Sequence, residues 1–238
     1  MNQKLAAAKL SVVTIELSSA VQDYVKAVYS LEEGRPTAEG ASTSAVAGRL
    51  GVSAASATNM LKKLDALGLV DYVPYRGAAL TSSGRKIALE VIRHHRLLET
   101  YLAEALGVPW DKVHDEAEVL EHALSEELEE RISAHLGHPT RDPHGHPIPG
   151  KDGSLPTLGA DDPRRLWGVE PGERVEVGHV PDGESDALRY LDGAGIRPGV
   201  GLEVVDRGPV AGPLFVRVDG HEDSTALSRE LAEAVWVV

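Results

Sequence analysis

The sequence predicts a mainly α-helical protein with a small β-barrel at its C-terminus, and three observations carry that reading. Apolar residues recur with helical period through roughly the first 140 positions. A Pro- and Gly-rich stretch, RDPHGHPIPGKDGSLPTLGADDP at 141–163, then breaks the pattern. Beyond it the period changes to two, in short alternating runs.

The helical part opens, after a tail at 1–16, with Val21 to Glu33, where Val21, Val25, Val28 and Leu31 form one apolar stripe ending in the polar, Gly-containing EEGRPTAEGAS. Thr43 to Leu50 predicts a short helix, Gly51-Val-Ser53 a tight turn, and Ala54 to Leu67 a longer helix that Ser53 caps and Gly68 stops. The next segment, Leu69 to Thr81, reads as two strands around a Gly turn. Together these describe a winged helix-turn-helix over 17–84. A second helical domain covers 85–140, the Pro/Gly-rich stretch at 141–163 is a linker, and 164–238 is the barrel. Its strands are expected at Arg174-Val-Glu-Val, Leu202-Glu-Val-Val, Leu214-Phe-Val-Arg-Val and Val235-Trp-Val-Val.

Composition narrows the function classes. With no cysteine in the chain, disulfides, thiolate metal sites and a Cys nucleophile are excluded, so any metal must take oxygen and nitrogen ligands. No run approaches the roughly 20 apolar residues of a membrane span, and a cytoplasmic protein without a membrane partner is expected. A net charge of −13 argues at first against nucleic acid, yet residues 1–90 carry ten Lys and Arg against eight Asp and Glu. The acid lies later, with eleven acids to four cations in 91–140 and eighteen to ten in 141–238.

On the helix from Ala54, the residues Ala57, Met60, Leu61, Leu64 and Leu67 can face inward. Ser56, Asn59 and Lys63 then share an outer face beside Lys62. Short side chains admit close approach to a major groove, Asn can pair with adenine, and Lys anchors phosphate. Ser53, Ala55, Ser56, Asn59, Lys62, Lys63 and Arg76 are therefore the candidate DNA contacts, with Tyr75, Arg85 and Lys86 as further backbone candidates. A plain three-helix module with a solvated outer face has the same pattern, and the wing favours DNA.

If His114 to Ile132 is one helix, His114, Glu118, Glu121 and His122 fall within an arc of roughly 100°. They border an apolar arc of Val113, Ala117, Leu120, Leu124 and Leu128. On the preceding helix His95 and Glu99 are four apart, a spacing that lets two side chains share one ion, with His94 as a substitute for His95. Two such helices bring His95 and Glu99 against His114, while Glu118, Glu121 and His122 form a second group. His144 and His146 read as loop residues. Carboxylates at the edge of a core are costly unless a cation compensates them.

These residues resemble the diphtheria toxin repressor family of metal-dependent transcriptional regulators, from about Leu17 to the C-terminus. The resemblance is strongest in DYVKAVYSLEE, LTSSGRKIALEVIRHHRLLETYL, KVHDEAEVLEHALSEELEERI and DPHGHPIPG. It implies a winged helix-turn-helix, a helical dimerisation domain and an SH3-like barrel. It also implies a primary metal site at Asp23, Glu118, Glu121 and His122, and an ancillary site at His95, Glu99 and His114. Asp23 comes from the resemblance alone. The family's ancillary site draws further ligands from the barrel, and the acidic loop at 181–186 offers Glu184 and Asp186, although its spacing departs from the iron-sensing members.

Iron-responsive members carry sulfur residues where this chain has Asp23 and Glu118, and carboxylates suit a harder ion, so the resemblance is to the manganese branch. Other manganese sensors place a second acid one helical turn beyond Asp23, where this chain has Lys26, which favours separate sites over a shared cluster. Mn²⁺ is the expected cofactor at about two ions per chain, with Fe²⁺, Co²⁺ and Zn²⁺ compatible with the same donors. The implied partners are a homodimer and a double-stranded DNA operator with near-palindromic half-sites, open to two dimers per operator. Two rival functions fit parts of the pattern: a winged-helix regulator sensing an organic ligand, and a metal-dependent hydrolase, for which no further acid-base group is suitably spaced.

Overall fold

The computed structural model describes residues 18–33, 40–156, 163–210 and 212–238, which form two compact units, 1–80 and 81–238. The expected tail at 1–16 lies outside the described residues, as do positions 34–39 after the first helix and 157–162 of the expected linker.

In the first unit, α1 (Ser19–Glu33), α2 (Thr43–Arg49) and α3 (Ala54–Ala66) precede a hairpin of β1 (Val70–Val73) and β2 (Gly77–Leu80). Val21, Val25 and Val28 of α1 are buried with Val46 of α2 and Ala57, Leu61 and Leu64 of α3. Each helix of the turn motif is capped as its sequence requires. Ser42 Oγ accepts from Ala45 N at 3.2 Å, and Ser53 Oγ accepts from Ser56 N at 3.1 Å. Leu67, expected to face inward, is the C-cap of α3 and is exposed, because the chain leaves the helix there and Leu69 takes the core position.

The wing has a third element that the sequence concealed. Ala41 pairs antiparallel with Ala78, donating to and accepting from it at 2.7 and 2.9 Å. Backbones this close leave no room for side chains: at Gly77, with φ +105°, a Cβ would stand 2.5 Å from Ala41 O.

The second unit begins with α4 (Ser82–Glu104), capped by Thr81 Oγ1, which accepts from Gly84 N at 3.1 Å. The single helix expected over His114–Ile132 is instead broken. It runs as α5 (Val113–Leu120), a 3-10 turn at Glu121–Ala123, an extended Leu124, and α6 (Glu126–His135). The break arises because Ser125 starts a new helix: its Oγ accepts from Leu128 N at 3.3 Å, and Glu126, Glu127 and Glu129 favour the positive end of the helix dipole. Leu120 and Leu128 consequently leave the apolar arc and are exposed.

The first part of the expected linker is folded against α4. Ile148 is buried with Leu97, Leu98, Ala117 and Ile132, and Arg96 Nη1 donates to Pro147 O at 2.5 Å. Beyond 163, β3 (Arg164–Arg165), β4 (Arg174–His179), β5 (Gly201–Arg207), β6 (Leu214–Val218), β7 (Ser224–Leu227) and β8 (Trp236–Val237) form one antiparallel sheet in the order β3-β8-β4-β5-β6-β7. Two helices, α7 (Ser185–Gly193) and α8 (Arg229–Ala234), were not expected. They contribute Leu188, Leu191 and Ala232 to the same core as the strands.

Gly77→Ala is expected to destabilise the first unit by about 2 kcal/mol, since it combines a disfavoured φ with backbone overlap. A urea unfolding midpoint unchanged from wild type would contradict the tight packing of Ala41 on the wing.

Candidate metal centre and DNA-facing helix

Within the second unit the predicted residues converge more closely than their spacing implied. His95 Nε2 lies 3.0 Å from Glu99 Oε1 and 3.0 Å from His114 Nδ1, and His114 Nδ1 lies 3.2 Å from the same Glu99 oxygen. The helical four-residue step aligns His95 with Glu99, and the start of α5 presents His114 to both. The other nitrogen of His95 faces Glu121 Oε2 at 2.5 Å, which the 3-10 turn carries inward until Glu121 is buried. Glu118 Oε1 stands 3.8 Å from both His95 Nδ1 and His114 Nε2, and His122 Nε2 is 3.6 Å from Glu121 Oε1. The two predicted groups therefore adjoin, with His95 between them.

His94 does not substitute for His95. Adjacent residues project about 100° apart on a helix, and His94 turns toward α6 instead. Asp23 lies on α1 of the first unit and is half-buried.

A third set extends the ancillary group. Asp142, two and four residues before the histidines of DPHGHPIPG, accepts from His144 N at 2.8 Å and from His146 N at 3.0 Å through Oδ1, an Asx turn that points His144 inward. His144 is fully buried beside Trp110, whose carbonyl takes the Nε2 hydrogen at 2.8 Å, leaving Nδ1 directed toward Glu99 Oε1 at 3.8 Å. Gly145 permits the turn: at φ +90° a Cβ there would meet Gly178 O of β4 at 2.2 Å. Glu99, Asp142 and His144 place one donor atom each within 4.8 Å of one another, as do Glu99, His114 and Asp182.

The barrel acid that reaches this group is thus Asp182 rather than Glu184 or Asp186. Glu184 is an exposed N-cap of α7. On α7 the buried Leu188 sets the inward phase, and Asp186, about 200° away, faces solvent and pairs with Arg189.

Electrostatics mark Glu99 as the centre. Burial pushes its carboxyl up, but the imidazoles of His114, His144 and His95 outweigh burial and hold it well below the usual range. Burial lowers His144, yet Glu99 and Asp142 raise it to about 9. Asp182 is held low against burial, chiefly by His146. Glu99 Oε2, Asp142 Oδ2 and His144 Nδ1 are buried without a hydrogen-bond partner among the described residues. Oxygen and imidazole donors left unpaired in one pocket fit a divalent cation, which would satisfy them together.

In the first unit, Ser53, Ala55, Ser56, Asn59, Lys62 and Lys63 form an exposed face of α3 and its cap, and Arg76 is exposed on the wing. Ser53 and Ser56 also bond to each other at 2.9 Å, so the cap is engaged with its own helix.

A winged helix-turn-helix on one unit and buried carboxylate and imidazole donors on the other define a metal-dependent DNA-binding regulator. Residues 16–78 match the model of the iron-dependent repressor N-terminal DNA-binding domain. Residues 81–150 match the iron-dependent repressor metal-binding and dimerisation domain, and residues 164–238 match the FeoA domain. The chain is 36% identical over 232 residues to the iron-dependent repressor IdeR of Mycobacterium tuberculosis (strain ATCC 25618 / H37Rv), covering 93% of this chain and 98% of the relative. It is 33% identical over 205 residues to the diphtheria toxin repressor of Corynebacterium diphtheriae, covering 81% and 87%. A solved manganese-dependent transcriptional repressor in complex with manganese superposes with a TM-score of 0.84 at 42% identity, covering 92% of this chain and 99% of that one. The chain belongs to the iron-dependent and diphtheria toxin repressor family and is a metal-dependent transcriptional repressor.

The raised His144 makes the metal-free protein pH-sensitive in a defined direction. A histidine whose folded pKa is about 9 against an ordinary 6.5 stabilises fully below 6.5, and that contribution is lost as pH rises toward 9. Thermal unfolding of chelated wild type should therefore weaken between pH 6.5 and about 9 more than that of His144→Gln. Parallel profiles would contradict the Glu99–His144 pairing.

Proposed function

We propose that this repressor responds to manganese, binding about two ions per chain. The ancillary centre comprises His95, Glu99 and His114, extended by Asp142, His144 and Asp182. The primary centre comprises Glu118, Glu121 and His122, with Asp23 assigned to it by family resemblance. The observation that carries metal dependence in this chain is the buried Glu99 among three imidazoles, with unpaired donor atoms around it. Support for manganese comes from the carboxylate at Glu118, a hard donor, and from the manganese complex of the solved relative. Fe²⁺, Co²⁺ and Zn²⁺ remain chemically compatible competitors.

A bound divalent cation would supply positive charge and a cross-link among these side chains. The chain's own residues do the rest. Glu121 and His122, held by the turn between α5 and α6, fix the end of α5. The face of Ser56, Asn59, Lys62 and Lys63 enters the major groove, and Arg76 touches the backbone. The protein acts as a homodimer on near-palindromic half-sites. Val119, Leu120 and Leu128 expose apolar side chains on α5 and α6, which suits a contact with a second copy. Ion binding also offsets the acid of residues 91–140, which would otherwise repel phosphate. The described helices include none long and apolar enough to cross a membrane, in keeping with a cytoplasmic repressor.

Mn²⁺ should raise operator affinity by about tenfold or more, read by fluorescence anisotropy, and Glu121→Ala should abolish that response. Equal affinity with and without Mn²⁺ would sink the switch. The double variant Asp23→Met, Glu118→Cys should shift activation toward Fe²⁺ by replacing hard donors with soft ones. An unchanged order of metal potency would count against Glu118 as the manganese determinant.

A further inference from the structure

A second cluster lies where α4 faces α6, on a face of α4 turned away from His95 and Glu99. Glu90 and His94 are one helical turn apart on α4, and Glu126 and Glu129 are three apart on α6. Glu90, Glu126 and Glu129 border a cleft of ≈ 380 Å³, also lined by Lys86, Arg93 and Lys151. His94 is only 8% exposed, and its Nε2 is buried with no hydrogen-bond partner among the described residues. That nitrogen points at Glu126 Oε1, 3.7 Å away, and at Glu129 Oε2, 3.6 Å away. Glu90, His94 and Glu126 each offer a donor atom within 4.8 Å of the others.

We propose that Glu90, His94, Glu126 and Glu129 form a third site, which takes a divalent transition-metal cation and clamps α4 to α6. Ligand atoms about 2.1 Å from one ion stand roughly 3.0 to 3.5 Å apart, so small side-chain rotations close the observed gaps around a common centre. A buried imidazole nitrogen without a partner is costly, and the carboxylates beside it are too distant to bond it directly. An ion between them resolves both. One nitrogen with two or three oxygens suits Mn²⁺, Co²⁺ or Zn²⁺ over Ca²⁺.

Two cations already touch this cluster. Arg93 Nε holds Glu129 Oε1 at 2.5 Å, which leaves Oε2 for the ion. Lys151 Nζ is bound to Glu130 at 2.9 Å and stands 3.7 and 3.6 Å from Glu126 and Glu129. It is half-exposed, and it can withdraw when an ion enters. The metal therefore competes with Lys151, making this the weaker and later-filling site.

The test is a Zn²⁺ titration by calorimetry on the full chain in a Glu99→Gln, Glu121→Gln background, which disables the two centres assigned above. That background should still bind one ion. His94→Ala should remove it, as should Glu90→Gln with Glu126→Gln, both exposed positions whose substitution spares the core, with circular dichroism confirming the fold. Lys151→Gln should tighten it severalfold. A background that binds no Zn²⁺, or binds one ion insensitive to the cluster variants, overturns the third site. Failure of the Mn²⁺ switch would appear separately, as metal-independent operator binding by the wild type.

Discussion

A carboxylate fully removed from water is the constraint around which the second unit is organised. Glu99 can remain ionised only because His95, His114 and His144 surround it, and each arrives from a different part of the chain. His95 shares its helix, His114 requires the loop back to α5, and His144 requires the Asx turn of Asp142 against β4. The helical domain, the expected linker and the barrel thus meet at one charge. Several donor atoms in this pocket have no hydrogen-bond partner among the described residues, and an ion would satisfy them together. Such a pocket suits a sensor, because ion binding is then coupled to the arrangement of all three segments.

The DNA-binding unit obeys a separate and simpler logic. Its helices are set by local signals, namely serine caps, a glycine stop and an apolar stripe, and its core is made of Val, Ala and Leu. Polar and cationic residues are left on the outer face of α3. The acid is concentrated in the other unit, so the chain can be strongly anionic overall without placing that charge on its recognition helix.

Legibility followed the range of the interactions. Ser53 as a cap, the helix-turn-helix boundaries and the His95–Glu99 pair were readable, because each rests on contacts within one turn of helix. The meeting of that pair with His114 followed from two consecutive helices. By contrast, Ala41 pairing with the wing joins residues 37 positions apart and leaves no periodic trace. The break at Leu124 was concealed because an unbroken helix gave a plausible apolar arc, although Ser125 followed by acids is a recognisable start. Asp142 and His144 were present in a conspicuous motif, but Pro and Gly around them signal a loop whether or not it is packed. Glu184 and Asp186 came from the family resemblance, against the spacing of their loop; the phase of α7 turns Asp186 outward and is visible only once Leu188 is known to be buried.

The short α5 carries a consequence for local stability. At 8 residues it is below the roughly 12 to 15 that persist unaided, and it buries only Val113 and Ala117. Its order is therefore borrowed from its surroundings rather than intrinsic to it. A helix this short and lightly buried opens more readily than the long α4 beside it, and brief openings expose backbone amides to exchange and to proteases. Any ion held by His114, Glu118 or Glu121 closes those openings by mass action. The susceptibility of this segment to solvent is then itself a record of how much metal the cell contains.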